Sequence, residues 1–465
     1  MNQAPAPSEV FAQLWALGEL SPQALGYLRL TGCDPVLPSS FAVGTAAQVS
    51  IAAAALAACE LGAVRGQARQ DVAVDMAQAA MECQGWYSLD GVVPDPWDAL
   101  SGLYRCADGW VRLHTNFAHH RLGVLALLGL PPSTGERDTV QDAVAQWRAV
   151  DLETQAAERG LVVAAVRSFE QWDAHAQGQA IAAQPLFTLE RMADGPVLPL
   201  PQLGAAQRPL HGVRVLDLTR IVAGPVAGRT LAALGADVML VNSPHLPNID
   251  MIAEASRGKR SVHVDLRDPA QRQQMNALVA GSHVFVQGYR PGGLDALGYS
   301  PAQLAHLRPG LVIVSLSAYS EQGPWAGRRG FDSLVQTAAG FNTAEAQAAG
   351  VEKPQALPVQ ILDYATGYLM AFASSAALVR QQQEGGTWLV RVSLAQTAHW
   401  LRSMGQVAAG WGIRAPSVPE RTHYLESYAT GFGALVAMRH SAKLSRTPVG
   451  WSRPAMPPGS HPPVW

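Results

Sequence analysis

The stretch from residue 209 to 241 constrains the fold more than any other part of this chain. It reads PLHGVRVLDLTRIVAGPVAGRTLAALGADVMLV, in which VRVLDL and ADVMLV are short apolar segments typical of buried strands. Between them, Gly224 and Pro225 mark a turn, VAGRTLAAL places apolar residues at helical spacing, and Gly235 ends the helix. This succession predicts a βαβ unit, which requires a parallel sheet and a right-handed crossover. Ligands usually bind where the first strand of such a sheet ends.

The turn after the first strand lacks the glycine patterns that hold nucleotide phosphates. Neither GxGxxG nor GxxxxGK[ST] lies between the strand and the helix. A pyridine-nucleotide oxidoreductase is therefore disfavoured.

Four motifs follow one another from this turn onward. They read TRIVAGP, SRGKRSVHVDLRDPAQR, VFVQGYRPGGLDALGYSPAQL and GPWAGRRGFDSLVQTAAG. In this order they resemble the class III coenzyme A-transferase family of the CaiB/BaiF type, which includes formyl-CoA and carnitine CoA-transferases and α-methylacyl-CoA racemases. The resemblance covers residues 209 to about 401. It implies an α/β fold with a doubly wound, Rossmann-like parallel core and a smaller α+β domain, in chains that form interlocked homodimers.

Composition and the N-terminal residues bear on the partners and the cellular location of the protein. Charged residues make up 15% of the chain against about 25% in typical soluble proteins, so we expect much of the surface to be buried between domains or subunits. A formal charge of -2 argues against nucleic-acid or membrane partners. The start MNQAPAPSEVFAQ does not resemble a signal peptide, and SIAAAALAACELGAV is short for a bilayer span, which predicts a buried helix. The four cysteines lack CxxC spacing, so we expect reduced thiols in a cytoplasmic protein.

The order of the segments predicts five parts. Residues 1–84 form a degenerate repeat of a core helix and strand, and residues 85–192 form the small α+β domain. Residues 193–208, rich in proline, glycine and glutamine, are the linker. Residues 209–410 form the Rossmann-like CoA-binding core, and residues 411–465 form a C-terminal return segment and tail.

The repeat is predicted from a sequence alignment within the chain. When Leu37–Pro38 is aligned with Leu357–Pro358, both copies continue with a helix, a glycine turn and a strand. A two-residue gap brings Val72 and Val390 into coincidence. Chance alignment of two alanine-rich helices is the alternative.

Asp363 is the residue predicted to carry the chemistry. The resemblance places the family's nucleophilic aspartate in LPVQILDYATGYLMA, where its carboxylate attacks the thioester of an acyl-CoA and passes through an aspartyl-CoA intermediate. Coenzyme A is then a co-substrate, and no tightly bound cofactor is implied. The residue alone is also compatible with a helix N-cap. The first repeat has Val43 at this position, so we expect the N-terminal half to be catalytically inactive.

Contacts with CoA are predicted for the turn after the first strand, by the resemblance, and for basic residues further on. These residues are Arg220, Ile221, Val222, Ala223, Arg257, Lys259, Arg260 and Arg290. A guanidinium group suits bidentate contact with phosphate. A solvated basic loop is the alternative for Lys259 and Arg260. No metal site is predicted, because His119–His120 and Asp332 lack metal-ligand spacing.

Two departures from the family pattern leave the acid substrates open. The transferases carry a run of glycines that covers the intermediate from water, whereas this chain has FNTAEAQAAG. Formyl-CoA transferases present a glutamine where this chain has Val222. The sequence favours transfer of CoA between an acyl-CoA and a free carboxylic acid over racemisation, because Phe331 replaces the histidine of the racemases and cannot move a proton. A non-catalytic CoA-binding paralogue is the remaining alternative.

Overall fold

The computed structural model describes residues 5–465, so the first four residues of the predicted segment 1–84 lie outside it. Its named strands form one sheet of seven strands and smaller sheets of three strands each. In chain order the strands are β1 (Leu28–Thr31), β2 (Val72–Asp75), β3 (Tyr87–Leu89), β4 (Gly102–Arg105), β5 (Trp110–Leu113), β6 (Val163–Ala165), β7 (Phe187–Ala193), β8 (Arg214–Leu218), β9 (Asp237–Asn242), β10 (Lys259–His263), β11 (Val284–Gln287), β12 (Val312–Ser317), β13 (Thr387–Ser393), β14 (Leu425–Thr430), β15 (Gly433–Met438) and β16 (Lys443–Leu444).

The α-helices cover the sheets and connect the strands. In chain order they are α1 (Pro7–Leu17), α2 (Val43–Val64), α3 (Met76–Glu82), α4 (Ala118–Leu127), α5 (Arg137–Val144), α6 (Ala149–Glu158), α7 (Phe169–Ala174), α8 (Ala176–Ala182), α9 (Ala223–Ala233), α10 (Ile252–Ala255), α11 (Pro269–Ala280), α12 (Pro301–Leu307), α13 (Asp332–Ala338), α14 (Phe341–Ala349), α15 (Ile361–Glu384), α16 (Leu394–Ser403) and α17 (Val418–Arg421).

The seven-stranded sheet is the core of the C-terminal half. Its strand order is β10-β9-β8-β11-β12-β13-β7, and every neighbouring pair is parallel except the last. The chain builds outward from β8 to β10 and then returns to the other side of β8 with β11, which is the doubly wound order. The βαβ unit predicted from residues 209–241 is formed by β8, α9 and β9, so the predicted parallel sheet is confirmed.

The small α+β unit is shorter than the sequence predicts. It consists of the antiparallel sheet β4-β5-β6 with α4, α5 and α6, and it has its own apolar core. The predicted range 85–192 is too long at both ends, because β3 pairs with β15 and β7 pairs with β13 in the core sheet. These pairings join residues distant in the chain, so local sequence patterns do not reveal them.

Two long helices pack side by side at the centre of the molecule. Both α2 and α15 are buried along almost their whole length. By length and composition α2 alone among the described helices could cross a membrane, but most of it is buried inside the protein. The apolar run around residues 50–64 therefore forms a buried helix, as predicted.

The two halves of the chain repeat the same order of elements. The succession β1, α2, β2, α3 matches β12, α15, β13, α16, except that α13 and α14 lie between β12 and α15. Each copy has an antiparallel neighbour, β16 beside β2 and β7 beside β13. Asp75 and Ser393 each cap the helix that follows by accepting the N–H of Gln78 and Gln396, respectively. This is the order of elements that the internal alignment predicts. The strands β7 and β16 each come from one half of the chain and complete the sheet of the other.

Candidate functional site

The candidate site lies at the carboxyl edge of the seven-stranded sheet, where β8 and β11 are neighbours. The strand order reverses here, because the chain returns to the sheet with β11 after building β9 and β10 on the other side. Open α/β sheets bind ligands in the crevice at such a point. Residues 219–222 after β8 and residues 288–290 after β11 border this crevice.

The turn after β8 has a strained backbone. Ile221 has a φ of 76°, in the left-handed region that a β-branched residue seldom adopts. A Cβ atom at Gly224 would lie 2.3 Å from the Cβ of Thr219, so only glycine fits at this close approach. Strained conformations of this kind concentrate at ligand-binding and active sites. The geometry is consistent with the predicted role of residues 220–223.

Asp363 is the third residue of α15, and its side chain is 7% exposed. The N-cap of this helix is Gln360, so the interpretation of Asp363 as the N-cap is wrong. The backbone N–H of Ala223, at the start of α9, lies beside the Asp363 carboxyl. Helix α15 approaches this closely because Gly367 lies one turn further on, where a Cβ would come within 2.5 Å of the Ala223 carbonyl oxygen.

Asp332 supports the start of α15 and lies next to Asp363. Its Oδ2 accepts the backbone N–H of Asp363 at 2.9 Å, and its Oδ1 accepts the side-chain amide of Gln336. Gln336 in turn accepts the backbone N–H of Leu357 at 3.0 Å. In the first repeat, Asp34 plays the corresponding part by accepting two backbone N–H groups at the start of α2. Asp332 is therefore a positioning residue for the helix that carries Asp363.

Burial dominates the electrostatics of this carboxyl pair. Burial raises the pKa of Asp332 to about 7, although the N–H groups of Asp363 and Leu362, the Gln336 amide and the Arg112 guanidinium work in the opposite direction. Burial and then the charge of Asp332 raise the pKa of Asp363 well above its usual range, while the Ala223 N–H lowers it. A carboxylate here is poorly solvated, which makes it a stronger nucleophile than one in water.

The raised pKa of Asp332 predicts a pH-dependent contribution to stability. The folded protein keeps a proton that the unfolded chain releases, so this contribution is complete below about pH 4 and is lost as the pH rises to about 7. We expect the free energy of unfolding of Asp332→Asn to fall less between about pH 4 and pH 8 than that of the wild type, by ~2 kcal/mol. Denaturant unfolding at both pH values measures this, with the exposed Asp142→Asn as control. Equal pH dependence in wild type and Asp332→Asn would contradict it.

Aromatic and imidazole side chains of the small α+β unit pack against Phe331, the residue before Asp332. The His114 ring stacks on Phe331, which precedes Asp332, at 4.1 Å, and the Phe331 ring lies 6.1 Å from Phe117 and 6.3 Å from His120. Burial lowers the pKa of His114 to about 4 and that of His120 to about 3, so both imidazoles are neutral at pH 7. Within residues 5–465, Nδ1 of His114 and both ring nitrogens of His120 are buried without a hydrogen-bond partner. Buried polar groups are usually hydrogen-bonded, so these unpaired nitrogens favour a ligand or water beside them.

Three arginines give the mouth of the crevice a positive charge. Arg220 donates to the carbonyl oxygen of Pro247, and burial lowers its pKa. Arg290 is exposed, Arg329 is half-buried, and neither has an ion pair or a side-chain hydrogen bond with another described residue. His119 lies close enough to Arg329 and Arg220 for both charges to lower its pKa, after the larger effect of burial. Unpaired guanidinium groups at this edge are suited to phosphates or carboxylates.

Three of the basic residues predicted to bind CoA have other roles. Arg257 and Lys259 are fully buried and form ion pairs with Glu254 and Asp217, respectively, the second at 2.8 Å. Arg260 forms an ion pair at 2.9 Å with Asp237, the first residue of β9. This pair lies at the edge of the sheet opposite the crevice. We therefore remove these three from the candidate CoA site. The sequence alone does not reveal that buried carboxylates neutralise Arg257 and Lys259.

Sequence reasoning missed several residues of the site. In the sequence, Asp332 stands in a Gly-Phe-Asp segment and is weighed with His119–His120 only for a metal or acid–base site. Its separation of 31 residues from Asp363 hides their contact. Arg329 lies in the neighbouring GRRGF segment, where its adjacency to Arg328 gave no hint that it faces the crevice. The spacing of His119–His120 supports neither a metal nor an acid–base role, so the sequence does not select them. Arg329 lies inside the fourth motif, GPWAGRRGFDSLVQTAAG, so a survey of the charged residues within the motifs would find it.

Comparisons with known proteins match this chain to one family model and to several curated proteins. The model of the family described as CoA-transferase family III matches residues 15–201 and 210–439. The chain is 31% identical over 314 residues to an acyl-CoA transferase of Gibberella moniliformis, covering 63% of this chain and 55% of that protein. It is 37% identical over 210 residues to a probable fatty acyl-CoA transferase of Mycobacterium tuberculosis, covering 42% and 53%. It is 31% identical over 196 residues to a succinate–glutarate CoA-transferase of Agrobacterium fabrum, covering 38% and 48%. The chain thus spans about half the length of these curated relatives.

Proposed function

Because this chain belongs to CoA-transferase family III, we propose that it transfers coenzyme A between an acyl-CoA thioester and a free carboxylic acid, with Asp363 as the nucleophile. The observation that carries the proposal is the buried Asp363 carboxyl beside the Ala223 N–H, at the carboxyl edge of a doubly wound sheet. The relatives include a probable fatty acyl-CoA transferase and a succinate–glutarate CoA-transferase, so the acids of this chain stay open.

The chemistry follows from the properties of a carboxylate nucleophile. An Asp363 oxygen attacks the thioester carbonyl carbon, the C–S bond breaks, and CoA leaves as a thiolate with the bonding electron pair. The thiolate then attacks the aspartyl carbon of the mixed anhydride and releases the first acid as a carboxylate, which leaves an aspartyl-CoA thioester. The acceptor carboxylate attacks that thioester, and the same two steps run in reverse to give the new acyl-CoA and free Asp363.

The surrounding residues support these steps in different ways. The Ala223 N–H can donate to the oxygen on which negative charge develops during attack. Asp332 and Gln336 hold the first turn of α15 and so fix the direction of Asp363. The buried surroundings of Asp363 limit access of water to the anhydride, which matters because this chain lacks the family's glycine run.

A direct assay distinguishes the candidate functions. Purified protein is incubated with an acyl-CoA and a panel of free acids in D2O, and the products are analysed by mass spectrometry. Exchange of CoA between acids supports the transferase. Deuterium at the α-carbon without exchange would indicate the racemase alternative, for which the neutral His114 and His120 beside Phe331 are the candidate bases. CoA binding with neither reaction would leave the non-catalytic paralogue.

We expect Arg290 to contribute to binding of the CoA phosphates. Arg290→Gln removes an exposed guanidinium that has no partner among the described residues, so the KM for acyl-CoA rises about tenfold or more with little change in kcat. Steady-state kinetics at two salt concentrations measure the effect. The matched control is Arg260→Gln, whose guanidinium already pairs with Asp237. An equal KM in both variants would contradict the assignment.

The interlocked homodimer and the cytoplasmic location stay predictions. The exchange of β7 and β16 between the two halves of one chain is the kind of crossing that interlocked subunits would need. Light scattering of a homodimer gives twice the chain mass of 49.3 kDa, whereas a single-chain mass would contradict the dimer. The described structure has four free cysteines, in keeping with a reducing compartment.

A further inference from the structure

A second cavity lies at the other end of α9 from Asp363. Its volume is about 650 Å³, and it is enclosed by the β14–β15 hairpin, β16 and the segment after β16. Arg208 connects it to α9, because its guanidinium donates to the carbonyl of Ala233, the last residue of that helix, and to the carbonyl of Gly450. Since α9 has 11 residues, the cavity lies on the order of 15 Å from the Ala223 end. It is therefore separate from the crevice of the proposed transferase.

The walls of this cavity carry a positive charge. Arg208, Arg439 and Lys443 line it, against the single carboxylate of Glu426. Arg208 donates only to carbonyl oxygens, and the ammonium group of Lys443 has no hydrogen bond or ion pair with any residue from 5 to 465. Arg439 approaches Glu426 at 3.9 Å, and both of these side chains are about half exposed. The net charge of the lining attracts an anion.

Aromatic rings form the rest of the lining. Tyr424 packs against His423 with ring centroids 3.8 Å apart, and Tyr428 lies edge-on to Trp451 at 6.0 Å. Arg257 lies over the Trp451 ring at 3.9 Å and holds it in place. Aromatic rings beside cationic groups provide a stacking surface for a planar heterocycle.

One buried polar group in the wall has no partner in the protein. His440 is 7% exposed, and its Nδ1 accepts the backbone N–H of Ala442 at 3.1 Å. Its Nε2 is buried without a hydrogen-bond partner among the described residues. Because Nδ1 is an acceptor, Nε2 carries the hydrogen of a neutral ring and is an unused donor. Buried donors of this kind are usually satisfied, so a bound group or water is expected beside it.

We propose that this cavity binds a phosphorylated heteroaromatic molecule of mononucleotide size. The volume falls within the range of about 300–1,000 Å³ that small-molecule sites occupy. Arg439 and Lys443 bind the phosphate, and Tyr424, Tyr428 and Trp451 contact the ring. A small ligand fits the cavity better than a protein partner, because the charged and aromatic groups line one concave space of small-molecule size.

Isothermal titration of the full chain tests this site with AMP, ADP and inorganic phosphate as probes. Arg290→Gln serves as background, so that binding at the CoA crevice is reduced. In this background we expect AMP or ADP to bind, and the double variant Arg439→Glu/Lys443→Glu to bind at least about tenfold more weakly. Arg446→Glu is the control and is compared with the single variant Lys443→Glu, because both reverse one charge, and Arg446 is an exposed residue three positions after Lys443 and outside the cavity.

The outcomes separate the possible sources of binding. Weaker nucleotide binding in the double variant, with unchanged binding in Arg446→Glu, supports the site. Absence of nucleotide binding, equal loss in the control, or binding of inorganic phosphate as tight as that of AMP overturns it, because the last result leaves the aromatic wall without a role. Thermal unfolding verifies that each variant is folded, and the single variant Lys443→Gln replaces the double variant if that one is not.

Discussion

Asp363→Asn folds and binds acyl-CoA but loses CoA exchange by at least about four orders of magnitude. The amide keeps the size of the carboxyl and removes its nucleophilic charge. Folding is retained because the N-cap position belongs to Gln360 and the acceptor of the Asp363 N–H is Asp332, so neither depends on the Asp363 side chain. Exchange kinetics with an active donor–acceptor pair measure the loss.

Trapping of the intermediate gives a second readout. Wild type incubated with acyl-CoA and then with hydroxylamine or borohydride carries a mass change on the peptide that contains Asp363, and the Asn variant does not. The matched control is Asp34→Asn, which changes the aspartate at the start of the repeated helix α2 and leaves the nucleophile in place. Full exchange in Asp363→Asn, or label on another residue, would contradict the assignment.

Arg229→Met destabilises the protein by about 3–5 kcal/mol, because it leaves the buried Glu82 carboxylate without its arginine and leaves Glu254 with Arg257 alone. The Arg229 guanidinium, 1% exposed, pairs with Glu82 at 3.2 Å and with Glu254, and it also donates to the hydroxyl of Tyr368 on α15. Glu82 lies on α3 in the N-terminal half, so this arginine joins the two halves of the chain. Denaturant unfolding at neutral pH measures the effect.

Two further variants test the physical reason for this loss. Glu82→Gln in the Arg229→Met background recovers part of the stability, because it removes the buried charge that has lost its arginine. Arg267→Met removes an arginine from an exposed pair with Asp265 and causes no measurable change. Equal destabilisation by Arg229→Met and Arg267→Met would show that burial does not govern the effect.

Local sequence patterns predicted the elements whose signals are contiguous. The β8–α9–β9 unit follows from a run of about thirty residues, because strand and helix periodicities are local properties of the chain. Ordered motifs likewise led to the turn at 220–223 and to Asp363. The internal alignment predicted the shared order of helix and strand in the two halves.

Only the tertiary structure decided how these parts combine. β7 pairs with β13 and β16 pairs with β2, so each of these strands joins the two halves of the chain. Asp332 accepts the backbone N–H of Asp363. Such contacts form because the backbone groups at sheet edges and helix ends need hydrogen-bond partners, which distant segments of the chain can supply. Burial also decides the roles of the basic residues. Lys259 is buried and neutralises the Asp217 carboxylate, whereas Arg290 is exposed at the crevice. The sequence by itself thus determined the kinds of element and the nucleophile candidate. Long-range packing determined which charges are free to meet a ligand, because desolvation and pairing depend on neighbours that are distant in the chain.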